Sequence, residues 1–154
     1  MKKAFFFLAA ILATFTISAQ TDFSGSWKLN SSKSKLGDQF SWAPKEIIVT
    51  HKGNDMSMEK QFDMQGQEVS INDKFTLDGK ECVNAGMMDT QKKSTAVWAA
   101  DKKSLKITSK IPMQDGGEFA LTEVYKIDGG NMVIEMSASS SFGDMAETQV
   151  YDKK

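Results

Sequence analysis

The chain of 154 residues contains no arginine, since all 19 of its basic residues are lysine, and it has one cysteine and one histidine. A single cysteine cannot form a disulfide within the chain, and zinc-peptidase motifs need two histidines on one helix. No Gly-x-Ser-x-Gly motif, phosphate-binding loop or dinucleotide fingerprint occurs. These absences exclude most metal, thiol and nucleotide chemistry, and we expect no metal site and no cofactor.

An excess of charge of one sign is also absent. Twenty acidic residues nearly balance the 19 basic ones, and the net charge is −1 at pH 7. This balance excludes a strongly basic nucleic-acid-binding protein. Hydrophobic residues make up 40% and charged residues 25% of the chain, which is ordinary globular composition. The length allows one domain with one sizeable core.

The longest apolar run, residues 4–15, is too short to span a bilayer, which needs about 20 residues. Lys2 and Lys3 precede this run, and the small residue Ala19 follows it closely. A positive start, a short apolar run and a small residue form the pattern of a secretory signal. We therefore expect residues 1–19 to be a signal peptide and residues 20–154 to be an extracytoplasmic domain, periplasmic or secreted. An N-terminal core helix is the alternative.

The rest of the chain shows alternating segments rich in β-branched and aromatic residues, with turn signals about every eight to twelve residues. Typical signals are Gly53-Asn54, Asp78-Gly79 and Asp128-Gly129-Gly130. No stretch has a sustained helical period, and residues 31–44 form either a long loop or a short helical turn. We predict strands near residues 23–30, 45–52, 55–63, 67–77, 80–84, 91–100, 104–112, 118–127, 131–139 and 145–152.

An antiparallel meander of this length has two exposed edges unless it closes. Closure into an up-and-down barrel removes both edges. We therefore predict an all-β fold, an antiparallel up-and-down meander closed into a barrel of 8–10 strands. A two-sheet sandwich is the alternative, but it needs longer crossing connections, and only residues 31–44 and 85–90 could supply them.

Alternation of period two identifies the inward faces of these strands, which are apolar, aromatic and rich in methionine. Methionine either fills irregular core space or lines a pocket that accepts varied shapes. The candidate ligand contacts on these faces are Met58, Phe75, Phe119, Glu123, Tyr125 and Met136.

Some polar residues also fall on the inward faces. Buried polar groups are costly unless they are paired. They therefore lie at strand ends near water, lie at bulges that reverse the register, or point into a wet cavity. These residues are His51, Lys60, Asp73, Ser109 and Glu123.

The segment Phe23-Ser24-Gly25-Ser26-Trp27 carries a Gly-x-Trp motif on the first strand, just after the predicted signal. With the all-β meander, this motif resembles the lipocalins and the wider calycin group. Together with residues 76–80 and 150–154, it is similar to small exported lipocalin-like proteins of Bacteroidetes-type bacteria. The resemblance covers essentially the whole of residues 20–154. It implies a barrel that holds a small hydrophobic molecule, with Trp27 closing the barrel floor and Gly25 letting the backbone pass close by.

Two departures from this resemblance bear on the ligand. Lipocalins commonly cover the floor tryptophan with an arginine, for which Lys153 or Lys154 is a poor substitute. Fatty-acid-binding proteins, within the same group, grip a carboxylate with an Arg-x-Tyr pair on the last strand. The similar place here is Gln149-Val150-Tyr151, so Tyr151 joins the candidate ligand contacts but Gln149 does not match. Without an arginine to bind a carboxylate through two parallel hydrogen bonds, the site suits a neutral or weakly polar ligand better than a carboxylate.

Three functional hypotheses remain open. The first is a binding protein, not an enzyme, that carries or sequesters a small hydrophobic molecule, with no nucleic-acid partner and no stable membrane span. The second is a barrel isomerase or hydrolase that uses His51 with Asp73 or Glu123, which requires these groups to lie within hydrogen-bond reach of one cavity. The third is a packed structural or interaction domain.

The predicted signal is tested by the mass of the exported protein. If the chain is produced in a bacterium with its own residues 1–19, we expect the exported form to begin at Gln20, because the signal is removed after Ala19. Intact-mass measurement and N-terminal sequencing of the extracytoplasmic fraction check this. An exported form that still begins at Met1 would contradict it.

Overall fold

The regular structure is entirely β in the computed structural model, which describes residues 19–86 and 89–154. Nearly all of the predicted signal peptide lies outside the described residues. Each of the ten strands predicted from the sequence is present. They are β1 (Gly25–Leu29), β2 (Glu46–Lys52), β3 (Asp55–Met64), β4 (Gln67–Thr76), β5 (Glu81–Ala85), β6 (Gln91–Trp98), β7 (Ser104–Pro112), β8 (Glu118–Asp128), β9 (Asn131–Ser140) and β10 (Gly143–Lys153).

The ten strands form one antiparallel sheet in the order β4-β3-β2-β1-β10-β9-β8-β7-β6-β5. Each strand therefore pairs with its neighbour in sequence, except that β1 also pairs with the last strand, β10, with Trp27 opposite Lys153. Strands β4 and β5 stand at the two ends of this order and contact each other. The sheet is a nearly closed barrel, as the meander predicted, and not a two-layer sandwich.

Side chains join β4 to β5 where the backbone ladder is interrupted. The Asn84 amide accepts a hydrogen bond from the Lys74 N–H at 2.8 Å and donates one to the Lys74 carbonyl at 3.0 Å. Two residues away on each strand, the Thr76 N–H donates to Cys82 Sγ at 3.2 Å. The half-buried Cys82 and Asn84 thus satisfy backbone groups that an open sheet edge would expose. We refer to this β4–β5 contact as the seam.

Residues 31–44 form a long loop without helix, which is one of the two forms expected from the sequence. Backbone hydrogen bonds in both directions join Lys35 to Thr148 on β10, at 2.7 and 2.9 Å. The Gly37 N–H donates to the Glu147 carboxylate at 3.1 Å. The loop is therefore fastened to β10, and its later part lies over one end of the barrel.

The opposite end of the barrel, the floor, is packed around Trp27. Its indole N–H donates to the Phe23 carbonyl at 2.8 Å, and Phe23 stacks on Trp98 with the ring centroids 5.8 Å apart. The Lys153 ammonium lies 5.3 Å from the centre of the Trp27 ring, so a lysine covers this tryptophan by a cation–π contact. Gly25 has φ of 129°, and a Cβ there would stand 3.0 Å from Lys153 Cε. Only glycine suits this conformation and this close approach.

The seam is tested by replacing Asn84 with alanine. We expect the Lys74 amide to exchange its hydrogen about fivefold faster, because one net hydrogen bond stabilises by about 1 kcal/mol. Hydrogen exchange followed by NMR measures this at the single residue. The matched control is Asn72→Ala, which changes an exposed asparagine on the same strand. Equal exchange of Lys74 in both variants would show that Asn84 does not seal β4.

Candidate functional site

A large cavity opens at the end of the barrel opposite the floor. Its volume is about 650 Å³. Its walls are the β7–β8 and β9–β10 hairpins and the loop of residues 31–44, and they are predominantly apolar. We call it the mouth cavity. Its apolar lining residues are Phe40, Trp42, Ile111, Pro112, Met113, Phe119, Ala138, Phe142 and Met145.

A second, smaller cavity of about 80 Å³ lies inside the barrel, lined by residues of β3 through β10. We call it the inner chamber. Trp42, Ile111 and Phe119 line both cavities, so the chamber begins where the mouth cavity ends. The walls of the chamber are mostly apolar, but buried charged and polar side chains interrupt them. These polar residues are Lys60, Asp73, Lys92, Glu123 and Gln149.

Lys60 and Glu123 form one buried ion pair of the inner chamber. The Lys60 ammonium donates to Glu123 Oε1 at 2.6 Å, and the Tyr125 hydroxyl donates to the same oxygen at 3.0 Å. Burial by itself lowers the pKa of Lys60, but the carboxylates of Glu123 and Asp73 outweigh burial and raise this pKa above its usual value. Lys60 is therefore a charged ammonium inside the barrel.

Asp73 and Lys92 form the second buried ion pair, and it spans the seam because Asp73 lies on β4 and Lys92 on β6. The Lys92 ammonium donates to Asp73 Oδ2 at 2.6 Å. Asp73 is 1% exposed, and its other oxygen, Oδ1, accepts no hydrogen bond from any described residue. A fully buried carboxylate oxygen without a donor carries a desolvation cost.

A third set of polar groups runs along the inward face of β10. Glu147 accepts the Gly37 N–H on one oxygen and the Gln149 amide on the other, at 3.1 and 2.8 Å. The Tyr151 hydroxyl donates to the Gln149 side-chain oxygen at 3.1 Å. Together with the two ion pairs, these groups form a polar belt between the packed floor and the apolar mouth cavity.

The residues predicted as ligand contacts divide between these regions. Phe119 lines both cavities, and Glu123 and Met136 line the inner chamber. The Tyr125 and Tyr151 hydroxyls belong to the polar belt, while their rings pack in the core. Met58 and Phe75 also lie in the core cluster and line neither the mouth cavity nor the chamber. The structure thus brings Phe119, Glu123 and Met136 together, and contact with a ligand stays a prediction for every one of them.

The inward polar residues are mostly paired within the barrel rather than placed at wet strand ends. Lys60, Asp73 and Glu123 form the ion pairs described above, and Ser109 Oγ lies 2.8 Å from Ser94 Oγ. His51 is different, because its side chain lies at the floor beside Trp98. Pairing, and not a reversed register, is how the fold accommodates the other four residues.

His51 does not meet the geometry that the enzyme hypothesis requires. Its ring nitrogens lie 3.1 Å from the Gly53 carbonyl and 3.8 Å from the Asp22 carboxylate, and its ring is 28° from parallel with the Trp98 ring. Over residues 19–86 and 89–154, no hydrogen bond or ion pair joins His51 to Asp73 or Glu123. Both carboxylates are instead bound to lysines.

Two groups of site residues were missed by the sequence reasoning. The rim aromatics Phe40, Trp42 and Phe142 lie in a loop and a turn, where no periodicity assigns a face. Lys92 lies on β6 and shares its inward face with Ser94 and Ala96, so alternation along β6 was the available signal. Its partner on β4 is distant in sequence, and no pattern in the sequence links the two residues.

Neither a metal-binding cluster nor a membrane-spanning helix occurs among the described residues. In the part of the chain that the structure describes, no three or more His, Cys, Asp or Glu side chains are grouped to hold a metal ion. Among these same residues there is no helix with the length and apolar character needed to cross a membrane.

The chain's two tyrosines, Tyr125 and Tyr151, give a direct test of the polar belt. Burial raises the pKa of both hydroxyls well above the ordinary value of 10.0. The folded protein then keeps protons that the unfolded chain releases, so the free energy of unfolding falls as pH rises above 10. We expect no tyrosinate absorbance in the folded protein at pH 10, and its appearance only together with loss of β circular dichroism.

The control is the chain in guanidinium chloride, where both tyrosines titrate near 10.0. Titration near this value while the circular dichroism is unchanged would contradict the burial of the two hydroxyls.

Comparison with known proteins shows a likeness of structure only. No protein-family model matches the sequence, and no curated protein matches it significantly. The chain is similar to zebrafish ileal bile acid-binding protein, solved in complex with cholic acid, at 16% identity and a TM-score of 0.59, over 86% of this chain and 98% of that one. The fatty-acid-binding protein of Manduca sexta is similar at 15% identity and a TM-score of 0.49, over 85% of this chain and 99% of that one. The first likeness shows that the chain has the calycin β-barrel fold.

Proposed function

We propose that the protein is an exported binding protein that carries or sequesters a small hydrophobic, neutral molecule in the mouth cavity. The observation that carries this proposal is the apolar cavity of about 650 Å³ at the open end of the barrel. Cavities that bind small molecules typically measure about 300–1,000 Å³ and are mostly apolar with a few polar groups. The mouth cavity and the polar belt beneath it match that description.

The rim of the mouth cavity supports the same proposal. Phe142 is 83% exposed and Phe40 is 55% exposed, and both line the cavity. Large aromatic side chains exposed together at a cavity entrance mark a surface that something else covers. A hydrophobic ligand lying across the entrance covers both rings. A packed domain leaves the cavity behind these two rings unexplained.

The charges beneath the cavity favour a neutral ligand. Each lysine of the inner chamber is already bound to a carboxylate, and Glu147 adds a further acidic group to the belt. The chain has no arginine to form a bidentate fork. A ligand carboxylate placed here meets other carboxylates in a region of low dielectric constant, where repulsion is strong.

The fold is consistent with binding, and the proposal places no catalysis in it. A protein with the same fold was solved with cholic acid, which supports the use of such a barrel for hydrophobic molecules by analogy alone. We propose no catalytic role, since His51 is held at the floor and the inward carboxylates are bound to lysines. Export rests on the signal expected at residues 1–19.

Replacement of Phe119 by glutamine tests the binding site. We expect affinity for the uncharged dye Nile red to fall about tenfold, because Phe119 lines both cavities and burying a large apolar side chain against a ligand contributes about 1.5–3 kcal/mol. Fluorescence titration measures the dye affinity, and circular dichroism checks the fold.

Val97→Gln is the matched control, because Val97 is half exposed on β6 and lines neither cavity. We expect this variant to bind the dye as the unchanged protein does. Failure of the unchanged protein to bind Nile red or any apolar compound in native mass spectrometry would overturn the proposed function.

A further inference from the structure

The inner chamber presents a buried acceptor that the described protein groups leave without a donor. This acceptor is Asp73 Oδ1, while Oδ2 of the same carboxylate is bound to Lys92 at 2.6 Å. Buried polar atoms in folded proteins nearly always have partners, and each exception calls for an explanation. Asp73 is among the residues that line the chamber, although Oδ1 itself is fully buried, so a donor in the chamber reaches this oxygen when the Asp73 carboxylate turns toward it.

The two lysines of the chamber also have N–H donors beyond those that their ion pairs use. An ammonium group has three N–H donors, and the structure gives Lys60 one carboxylate partner, Glu123, and Lys92 one carboxylate partner, Asp73. A head group bound here therefore meets both a free acceptor and free donors. A hydroxyl donates one hydrogen bond and accepts others, whereas a carboxylate only accepts and an ammonium only donates. The hydroxyl alone among these three matches both sides of the chamber.

The charge balance points to the same head group. Two ammonium groups and two carboxylates line the chamber, so its walls carry no net charge. A neutral hydroxyl keeps that balance, while a charged head group adds an uncompensated charge in a buried place. A carboxylate is disfavoured twice, because it also lies beside the unpartnered oxygen of Asp73.

The arrangement of the two cavities suits an elongated molecule. The chamber measures about 80 Å³. One water molecule needs about 10–15 Å³ of such space, so the chamber admits a head group of a few non-hydrogen atoms and no more. Trp42, Ile111 and Phe119 line both cavities, so an apolar tail attached to this head group extends past them into the mouth cavity.

We propose that the ligand is a hydrophobic alcohol whose hydroxyl donates to Asp73 and accepts from the chamber lysines, with its apolar body in the mouth cavity. This inference rests on the proposed function and specifies the chemical class of its ligand. It assigns Asp73 as the residue that selects the hydroxyl. The ion pair with Lys92 holds the Asp73 carboxylate in the chamber.

Four compounds with the same tail and different head groups test the inference: dodecan-1-ol, 1-methoxydodecane, dodecanoate and dodecylammonium. Each competes with Nile red for the unchanged protein. We expect dodecan-1-ol to bind at least about tenfold more tightly than each of the others, because only the hydroxyl both donates to and accepts from the chamber. The methyl ether is the closest comparison, since it keeps the acceptor oxygen and loses only the donor.

A double variant then locates the selectivity. Asp73→Leu with Lys92→Met replaces the buried ion pair by apolar groups of similar size, a change that folded proteins often tolerate. We expect the preference for the alcohol over the ether to fall from tenfold or more to about one. Lys126→Met with Glu135→Leu is the control, because it removes an ion pair of the same 2.6 Å length on the outer face, and the preference stays unchanged. If the first variant does not fold, the compound series on the unchanged protein decides by itself.

The outcomes separate the two proposals. If none of the four compounds displaces the dye and native mass spectrometry detects no apolar guest, the proposed function fails and the inference fails with it. If the alcohol and the ether bind equally, the barrel binds hydrophobic molecules but Asp73 does not select a hydroxyl, and only the inference is overturned. Tightest binding of dodecanoate or of dodecylammonium also overturns the inference alone.

Discussion

Closure of the sheet at one seam is the constraint on which the rest of the barrel depends. Because β1 pairs with β10, the sheet has β4 and β5 as its two edges, and the backbone groups of these edges need partners. Asn84 supplies an amide that acts like a short piece of a neighbouring strand for Lys74. On the inner side, the ion pair of Asp73 with Lys92 spans the same seam. The seam is therefore held by side chains and by charge, and it lies beside the chamber.

The polar belt divides the barrel interior into two regions with different properties. Below it, the floor around Trp27 is packed by apolar and aromatic side chains, and a lysine covers the tryptophan where the family resemblance implied an arginine. Above it, the interior widens into the mouth cavity. Buried charges need partners, and pairing them across strands holds those strands at a fixed separation. This arrangement leaves room for a guest above the belt without loosening the floor.

The fold of the chain could be predicted almost completely from the sequence, while the candidate site could be predicted only in part. Alternation along each strand correctly placed Phe119, Glu123 and Met136 inside the barrel. It could not separate them from Met58 and Phe75, which also point inward but lie in the packed core. Period two specifies a face of a strand, whereas the level along the barrel axis depends on the register between strands and on how the two ends are filled.

The sequence by itself determined the strands, the turns and the closed meander, because hydrophobic alternation and Asp-Gly turns are local signals. It also determined what the chain lacks, namely an arginine fork and a second histidine. Only the tertiary structure decided which charges meet, because Lys60 and Glu123 are far apart in sequence and pair across the interior. Hydrogen bonds to β10 position the loop of residues 31–44 over the mouth cavity. Pairings of this kind depend on the curvature and register of the whole barrel, which no local segment encodes.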